Sequence, residues 1–131
     1  MALKIDIHVK TMFPGLQVLT YKILGVKTEK RSTELEKFAE KLMEQVRQKY
    51  DLESLKNLPT FRAYRDFFWK VGVDPTKNRP AAEALIRRIV GGKAIPQINT
   101  LVDAYNLASV NTEVPLAAFN MALIWKGWKA T

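Results

Sequence analysis

Hydrophobic and polar residues alternate at the start of the chain, and this pattern predicts β-structure there. Residues 3–9 place every second side chain on one hydrophobic face, which is the period of a half-buried strand. Pro14-Gly15 then marks a turn. Residues 16–24 are rich in side chains that favour strands and predict a second strand, which ends at Gly25.

The hydrophobic spacing changes after residue 32 and becomes typical of helices. Ser32-Thr33 followed by Glu36 indicates a helix start in which Thr33 is the N-cap. From Leu35 to Val46 the hydrophobic residues recur at intervals of three and four, so a helix of about five turns would bury one face.

Three further helices follow from the same spacing and from proline and glycine positions. One runs from Phe61 to Gly72, and the next runs from Pro80 to the glycine pair at 91–92. A last helix opens at Pro96, with Ile98 and Leu101 predicted to face the core. Strands followed by helices predict an α+β fold.

The length and composition fit one globular domain that spans residues 1–131. The chain has 131 residues, of which 47% are hydrophobic and 26% are charged. It has no cysteine and one histidine, which excludes disulfides, thiolate chemistry and multi-histidine metal sites. We therefore expect no metal and no cofactor. The N-terminus lacks the continuous apolar block of a signal peptide, so we expect a cytoplasmic protein without a membrane span.

Positive charge is concentrated in residues 61–93. The whole chain carries 21 basic and 13 acidic residues, a net charge of +8, which favours polyanionic partners. Residues 61–93 contain eight basic and only three acidic residues, and several aromatic residues occur in the same stretch. Arginine beside aromatic residues can neutralise phosphates and stack on bases. The candidate RNA-binding residues are Arg62, Arg65, Lys77, Arg79, Arg87, Arg88 and Lys93.

Three polar residues near the C-terminus form a second candidate site. Asn99, Asp103 and Asn106 are spaced to share one face of the last predicted helix. Two amides and a carboxylate could line a ligand pocket, since together they offer both donors and acceptors. The alternative is that they satisfy the backbone groups of neighbouring loops. No catalytic residue is identified from the pattern.

Short motifs between Tyr64 and Phe119 also resemble a known family. They are Tyr64-Arg65, Gly72-Val73-Asp74-Pro75-Thr76, Arg79-Pro80-Ala81, Glu83-Ala84-Leu85, Arg87-Arg88, Gly92, Ile95-Pro96-Gln97-Ile98-Asn99, Leu101-Val102-Asp103, Asn106 and Pro115-Leu116. In this order they resemble the B three-four domain of the phenylalanyl-tRNA synthetase beta subunit and its stand-alone relatives. The resemblance is strong over 60–120, loose over 1–59 and absent over 121–131.

This resemblance implies an α+β domain that associates with tRNA and can carry a proofreading pocket for mischarged tRNA. Asn106 matches the family's asparagine near that pocket, so the resemblance implies that Asn106 contacts the ligand. Other positions depart from the bacterial synthetases: Tyr105 replaces threonine, Ala117 replaces histidine and Asn120 replaces aspartate. A methyl group at position 117 cannot position a water molecule, so the bacterial type of hydrolysis is not expected to persist unchanged.

The family continues beyond the position of Phe119 with further strands, so we interpret the chain as a truncated or diverged, incomplete member. Missing strands would leave a sheet edge uncovered and favour a homo-oligomer. The sequence is compatible with three functions. The first is a non-catalytic module that binds tRNA or another structured RNA. The second is a deacylase that edits mischarged tRNA in trans, and the third is a partial domain with at most an interaction role.

Overall fold

The computed structural model describes residues 4–123, and its regular elements are helices. They are α1 (Ile7–Met12), α2 (Thr33–Lys49), a 3₁₀ turn (Leu55–Asn57), α3 (Pro59–Lys70), α4 (Ala81–Val90) and α5 (Thr100–Thr112). None of the residues from 4 to 123 lies in a β-strand. The prediction of an α+β fold with N-terminal strands is therefore wrong for the described part of the chain.

The first predicted strand is replaced by α1 because a polar side chain caps a helix there. Asp6 accepts a hydrogen bond from the backbone amide of His8 through Oδ1 at 2.8 Å, and its carbonyl accepts from the amide of Lys10. A side-chain oxygen at this position satisfies an amide that the first helical turn leaves free. The alternating pattern is too short to outweigh this local signal.

The second predicted strand, residues 16–24, has no neighbouring strand among the described residues. Strands are stable only when their amides and carbonyls pair with another strand. In this segment, the amide of Leu16 bonds to the carbonyl of Phe13, and no other backbone bond to a described residue is formed. Because residues 4–123 contain no sheet, the predicted oligomer through an uncovered sheet edge has no basis in them.

The predicted helices are confirmed, although their first residues differ from those expected; α3 begins at Pro59, not at Phe61, and α4 begins at Ala81, just after Pro80. Ser32, not Thr33, caps α2, since its hydroxyl accepts from the amide of Leu35 at 3.4 Å. Glu36 pairs with Arg31 at 2.6 Å instead of reaching back to the cap. Helix α5 begins at Thr100, four residues after Pro96, because Asn99 provides its cap.

The core lies where α2, α4 and α5 pack against one another, and the 3₁₀ turn packs against both α4 and α3. Its buried hydrophobic members are Leu42, Val46, Leu55, Phe61, Ala82, Ile86, Ile89, Leu107 and Val110. Two residues expected in the core, Ile98 and Leu101, are exposed instead. Ile98 precedes α5, and Leu101 lies in its first turn. No helix within the described range is long and apolar enough to cross a membrane.

The C-terminal end of α5 is held by Glu113, which has a left-handed backbone (φ 62°). Such a conformation costs about 1 kcal/mol in residues other than glycine, so it needs support from its surroundings. The phenol of Tyr50 donates a hydrogen bond to the Glu113 carboxylate, and Ser109 donates to the carbonyl of Val114 at 2.8 Å. Burial, and then the hydrogen bond and charge of Glu113, raise the pKa of Tyr50.

Candidate nucleic-acid interface

Four of the seven predicted RNA-binding residues surround one concave surface, which we call the basic depression. Its volume is about 370 Å³, and Arg79, Arg87, Arg88 and Lys93 line it together with Leu52, Ala84 and Gly91. No carboxylate is among these lining residues. Four cations with no carboxylate in the lining make the local potential positive, although Glu83 offsets part of the charge of Arg87.

The sequence after α4 explains why Lys93 lies beside Arg88. Gly92 adopts a left-handed backbone (φ 88°), and the amide of Lys93 then bonds to the Arg88 carbonyl at 2.9 Å. This geometry ends the helix and turns the chain back over its last turn. The side chain of Arg88 donates through Nε to the carbonyl of Ala94 at 2.6 Å, which fixes its position at the rim.

A short loop fixed by Asp74 precedes Arg79, which also lines the depression. Oδ1 of Asp74 accepts from the amide and the hydroxyl of Thr76, at 2.8 and 2.6 Å. These hydrogen bonds, with that of the Thr76 side chain first, lower the pKa of Asp74. An aspartate that bonds two residues ahead is a common turn former, and here it sets the path of the chain toward α4.

Arg87 reaches the depression from a buried ion cluster. The carboxylate of Glu83 is fully buried and accepts from Nε of Arg87 at 2.9 Å. Arg65 binds the same carboxylate in bidentate fashion, with Nη2 2.6 Å from Oε1 and Nε 2.9 Å from Oε2. Burial alone would raise the pKa of Glu83, but the hydrogen bonds and charges of the two arginines outweigh it and lower that pKa.

The structure separates the seven predicted residues into three groups. Arg65 is half-buried against Glu83, and the hydrogen bond to that carboxylate raises the pKa of the guanidinium. Arg62 and Lys77 are exposed but do not line the depression. The remaining four line the depression, and one of them, Arg87, is also ion-paired with Glu83. Sequence spacing could not distinguish these groups, because it does not show which cations the protein itself neutralises.

The predicted pocket residues do not line one cavity. Asn99 accepts from the amide of Val102 at 2.9 Å, and Asp103 accepts from the amide of Ile98 at 2.9 Å. Both side chains therefore satisfy backbone groups at the start of α5. Asn106 is half-buried further along the same helix, where its side chain forms no hydrogen bond with a described residue.

A second concave surface, which sequence reasoning missed, lies between α2 and the segment before α5. We call it the acid-rimmed groove; its volume is about 430 Å³. Its hydrophobic lining includes Leu35, Ala39, Met43, Ile95 and Leu107, and its charged lining is Arg31, Glu36, Glu40 and Asp103. Glu36 and Glu40 are one helical turn apart beside the hydrophobic stripe of α2, and this spacing was the available signal.

The family model described as B3/4 domain matches residues 63–129, about half of the chain. The chain belongs to the B3/4 domain family. This confirms the resemblance to the B three-four domain of the phenylalanyl-tRNA synthetase beta subunit. Neither the comparison with curated proteins nor that with solved structures gives a match.

The B3/4 domain match contains all four cations of the basic depression, as well as the segment between α4 and α5. It also continues past residue 120, where we expected the resemblance to end. Two positions that depart from the bacterial synthetases, Ala117 and Asn120, are exposed, and Tyr105 is half-buried. Oδ1 of Asn120 accepts from the amide of Ala122 at 3.0 Å, so this side chain also has a local structural contact.

Proposed function

We propose that this B3/4 domain is a non-catalytic module that binds structured RNA, with tRNA as its expected ligand, through the basic depression. The observation that supports this most directly is the convergence of Arg79, Arg87, Arg88 and Lys93 around one surface without an acidic lining residue. Cations of this kind bind phosphates, and arginine does so with directed pairs of hydrogen bonds.

The other features of the depression support a backbone contact more than recognition of bases. Its non-cationic lining is Leu52, Ala84 and Gly91, which carry no side-chain hydrogen-bonding groups. Phosphate contacts position a nucleic acid but do not read its sequence. We therefore expect affinity for the shape and charge of a folded RNA, with weak dependence on its sequence.

The experiment compares two double variants that change the net charge equally. Arg88→Glu with Lys93→Glu reverses two cations of the depression, whereas Lys37→Glu with Lys41→Glu reverses two exposed cations on α2. We expect the first to lower affinity for a tRNA transcript by about tenfold or more, measured by fluorescence anisotropy. The second should have a much smaller effect. Equal losses in the two variants would mean that RNA responds only to net charge.

Salt dependence provides the matching measurement on the unchanged chain. If all four cations contact phosphates, log K should fall against log salt with a slope of about −3. The double variant in the depression should have a slope that is shallower by about 1.5. An identical slope in that variant and the original chain would contradict the assignment of these residues.

The trans-editing alternative is not favoured by any feature of the described residues. Oδ1 of Asn99 and Oδ1 of Asp103 each accept from a backbone amide, and neither Asn99 nor Asn106 lines the groove that Asp103 lines. We expect tyrosine-charged phenylalanine tRNA to lose its amino acid no faster with the protein than without it.

A further inference from the structure

A hydrophobic loop between α1 and α2 stands exposed to solvent. We call residues 17–28 the apolar loop, and every one of them is exposed. Leu19 is 80% exposed, Tyr21 84% and Leu24 78%. The loop also carries Lys22 and Lys27 but no acidic residue. Contiguous hydrophobic exposure of this kind marks a contact surface.

The main chain of the apolar loop is unpaired as well. None of its amides or carbonyls forms a hydrogen bond with another described residue. Its composition nevertheless favours extended, paired backbone. An extended segment with free main-chain groups and alternating side chains is the form in which one chain adds to the surface of another.

Contacts on both sides hold the ends of the loop against the helices. Phe13 packs on Phe67 with 4.7 Å between ring centroids. Glu29 exchanges two hydrogen bonds with Thr100, at 2.8 and 2.9 Å. The chain then reaches Arg31, which lines the acid-rimmed groove. The loop therefore leaves the helices beside one end of that groove.

The acid-rimmed groove has the chemistry that the apolar loop requires. Its floor is hydrophobic, and its rim carries three carboxylates and one arginine, a local charge of −2 in a protein of net charge +8. Arg31 pairs with Glu36, whereas Glu40 has no ion pair with a described residue. A hydrophobic segment with lysines and no carboxylates is complementary to this surface.

One wall of the groove is formed by residues whose main-chain amides have no partner among the described residues. The segment between α4 and α5 contains Ile95 and Gln97, and both line the groove. Their amides form no hydrogen bond with a described residue. These amides are two residues apart, which is the spacing at which an extended neighbour would accept from them. This wall therefore favours an extended peptide as the occupant.

We propose that the apolar loop of one copy of this chain occupies the acid-rimmed groove of a second copy, in a reciprocal dimer. No residue of the loop lines the groove of its own chain, so the two surfaces are both uncovered within one copy. A two-fold dimer covers both pairs of surfaces at once. This assembly uses no residue of the basic depression.

Cysteine cross-linking tests the contact directly, because the chain has no cysteine of its own. Ile23→Cys lies in the loop, and Ala39→Cys lies in the groove. Under mild oxidation, an equal mixture of the two variants should give a disulfide-linked dimer. A mixture of Ile23→Cys with Glu53→Cys, which lies outside the groove, should give little.

Two outcomes of the cross-linking would overturn the proposal. The first is the absence of a dimer in the Ile23→Cys and Ala39→Cys mixture. The second is an intramolecular disulfide as the main product when both substitutions are in one chain, which would mean that the loop covers its own groove.

Sedimentation of a concentration series gives an independent test through charge. Lys22→Glu and Glu40→Lys should each weaken dimerisation by about fivefold, and together they should cost less than the product of the single effects. Glu53→Lys is the control and should leave the dimer unchanged. A protein that is monomeric at every concentration would contradict the proposal. Weakening by Lys22→Glu without any effect of Glu40→Lys would also overturn it, since the loops would then contact each other instead.

Discussion

Glu83 lies fully buried at the point where α3 and α4 meet, and its carboxylate contacts two arginines. An unpaired charge in such a place is costly, and here both arginines bond to Oε1 while Arg65 also bonds to Oε2. Arg87 belongs both to this cluster and to the basic depression. A buried carboxylate thus fixes the position of a cation that we propose to contact RNA.

Replacing Glu83 should destabilise the protein in a manner that depends on pH. Glu83→Gln leaves two partly buried arginines without their carboxylate, and we expect a loss of about 3 kcal/mol in the free energy of unfolding at pH 7. The pKa of Glu83 is below its ordinary value, so its contribution is present above about pH 4.5 and is lost as pH falls through the folded pKa.

Urea unfolding of both proteins between pH 2 and pH 7 measures this effect. The difference between them should be largest near neutrality and should shrink in acid. Glu53→Gln, an exposed carboxylate, serves as the control. A difference that stays constant down to pH 2 would show that the ionised carboxylate is not what stabilises the cluster.

The two arginines of the cluster provide a matched pair for RNA binding. Arg65→Gln and Arg87→Gln each remove one partner of Glu83, but only Arg87 lines the depression. Both should lower the melting temperature. Only Arg87→Gln should weaken RNA binding by several-fold and make the salt slope shallower by about 0.8. Equal losses of RNA affinity at a temperature where both variants are folded would place the binding surface elsewhere.

At the scale of elements, side-chain caps account for where the helices begin. Asp6, Ser32 and Asn99 each accept a hydrogen bond from a backbone amide at the start of α1, α2 and α5. Such caps end the preceding segment as well as starting the helix. Because Asn99 caps α5, the helix begins after the segment that contains Pro96, and that segment lines the groove.

Because Asn99 caps α5 and Asn106 does not, alanine substitutions at the two positions should change the stability of the protein by different amounts. Asn99→Ala should lower the free energy of unfolding by about 1 kcal/mol, because α5 loses its N-cap. Asn106→Ala should cost less, since its side chain has no hydrogen bond within the described residues. Thermal unfolding by circular dichroism separates the two variants. An Asn99→Ala protein as stable as the original would contradict the capping role.

The elements that the sequence predicts correctly are helices whose hydrophobic spacing and end signals lie within their own residues. Helices α2, α3 and α4 have hydrophobic spacing and end signals within their own residues, so no distant partner is needed to predict them. A strand depends on a neighbour that its own sequence does not specify. The residues at 16–24 have the composition of a strand but no pairing partner among residues 4–123.

The candidate RNA-binding surface, like the fold, could be predicted from the sequence only in part. The excess of positive charge in 61–93 indicated the surface on which Arg79, Arg88 and Lys93 lie. Charge along the chain could not show that Arg65 is turned inward to Glu83. It also could not show that Asn99 and Asp103 satisfy backbone groups, because those contacts depend on the exact start of α5.

For the whole molecule, the distribution of charge matters more than its total. A net charge of +8 favours polyanions at long range, while the basic depression and the acid-rimmed groove have opposite local charge. Long-range attraction would bring RNA to the protein, and the depression would then orient it. The groove would repel phosphate and remain available to the apolar loop of a second copy.

The central claim, that RNA contacts the basic depression, is tested most directly by amide chemical-shift mapping of the 15.0 kDa protein with a tRNA transcript or a tRNA-derived stem-loop. We predict that the largest changes fall on Arg79, Ala84, Arg88, Gly91 and Lys93, and that residues of the acid-rimmed groove change little. The claim would be contradicted by changes centred on the exposed lysines of α2, or by a bound RNA that leaves residues 79–93 unperturbed.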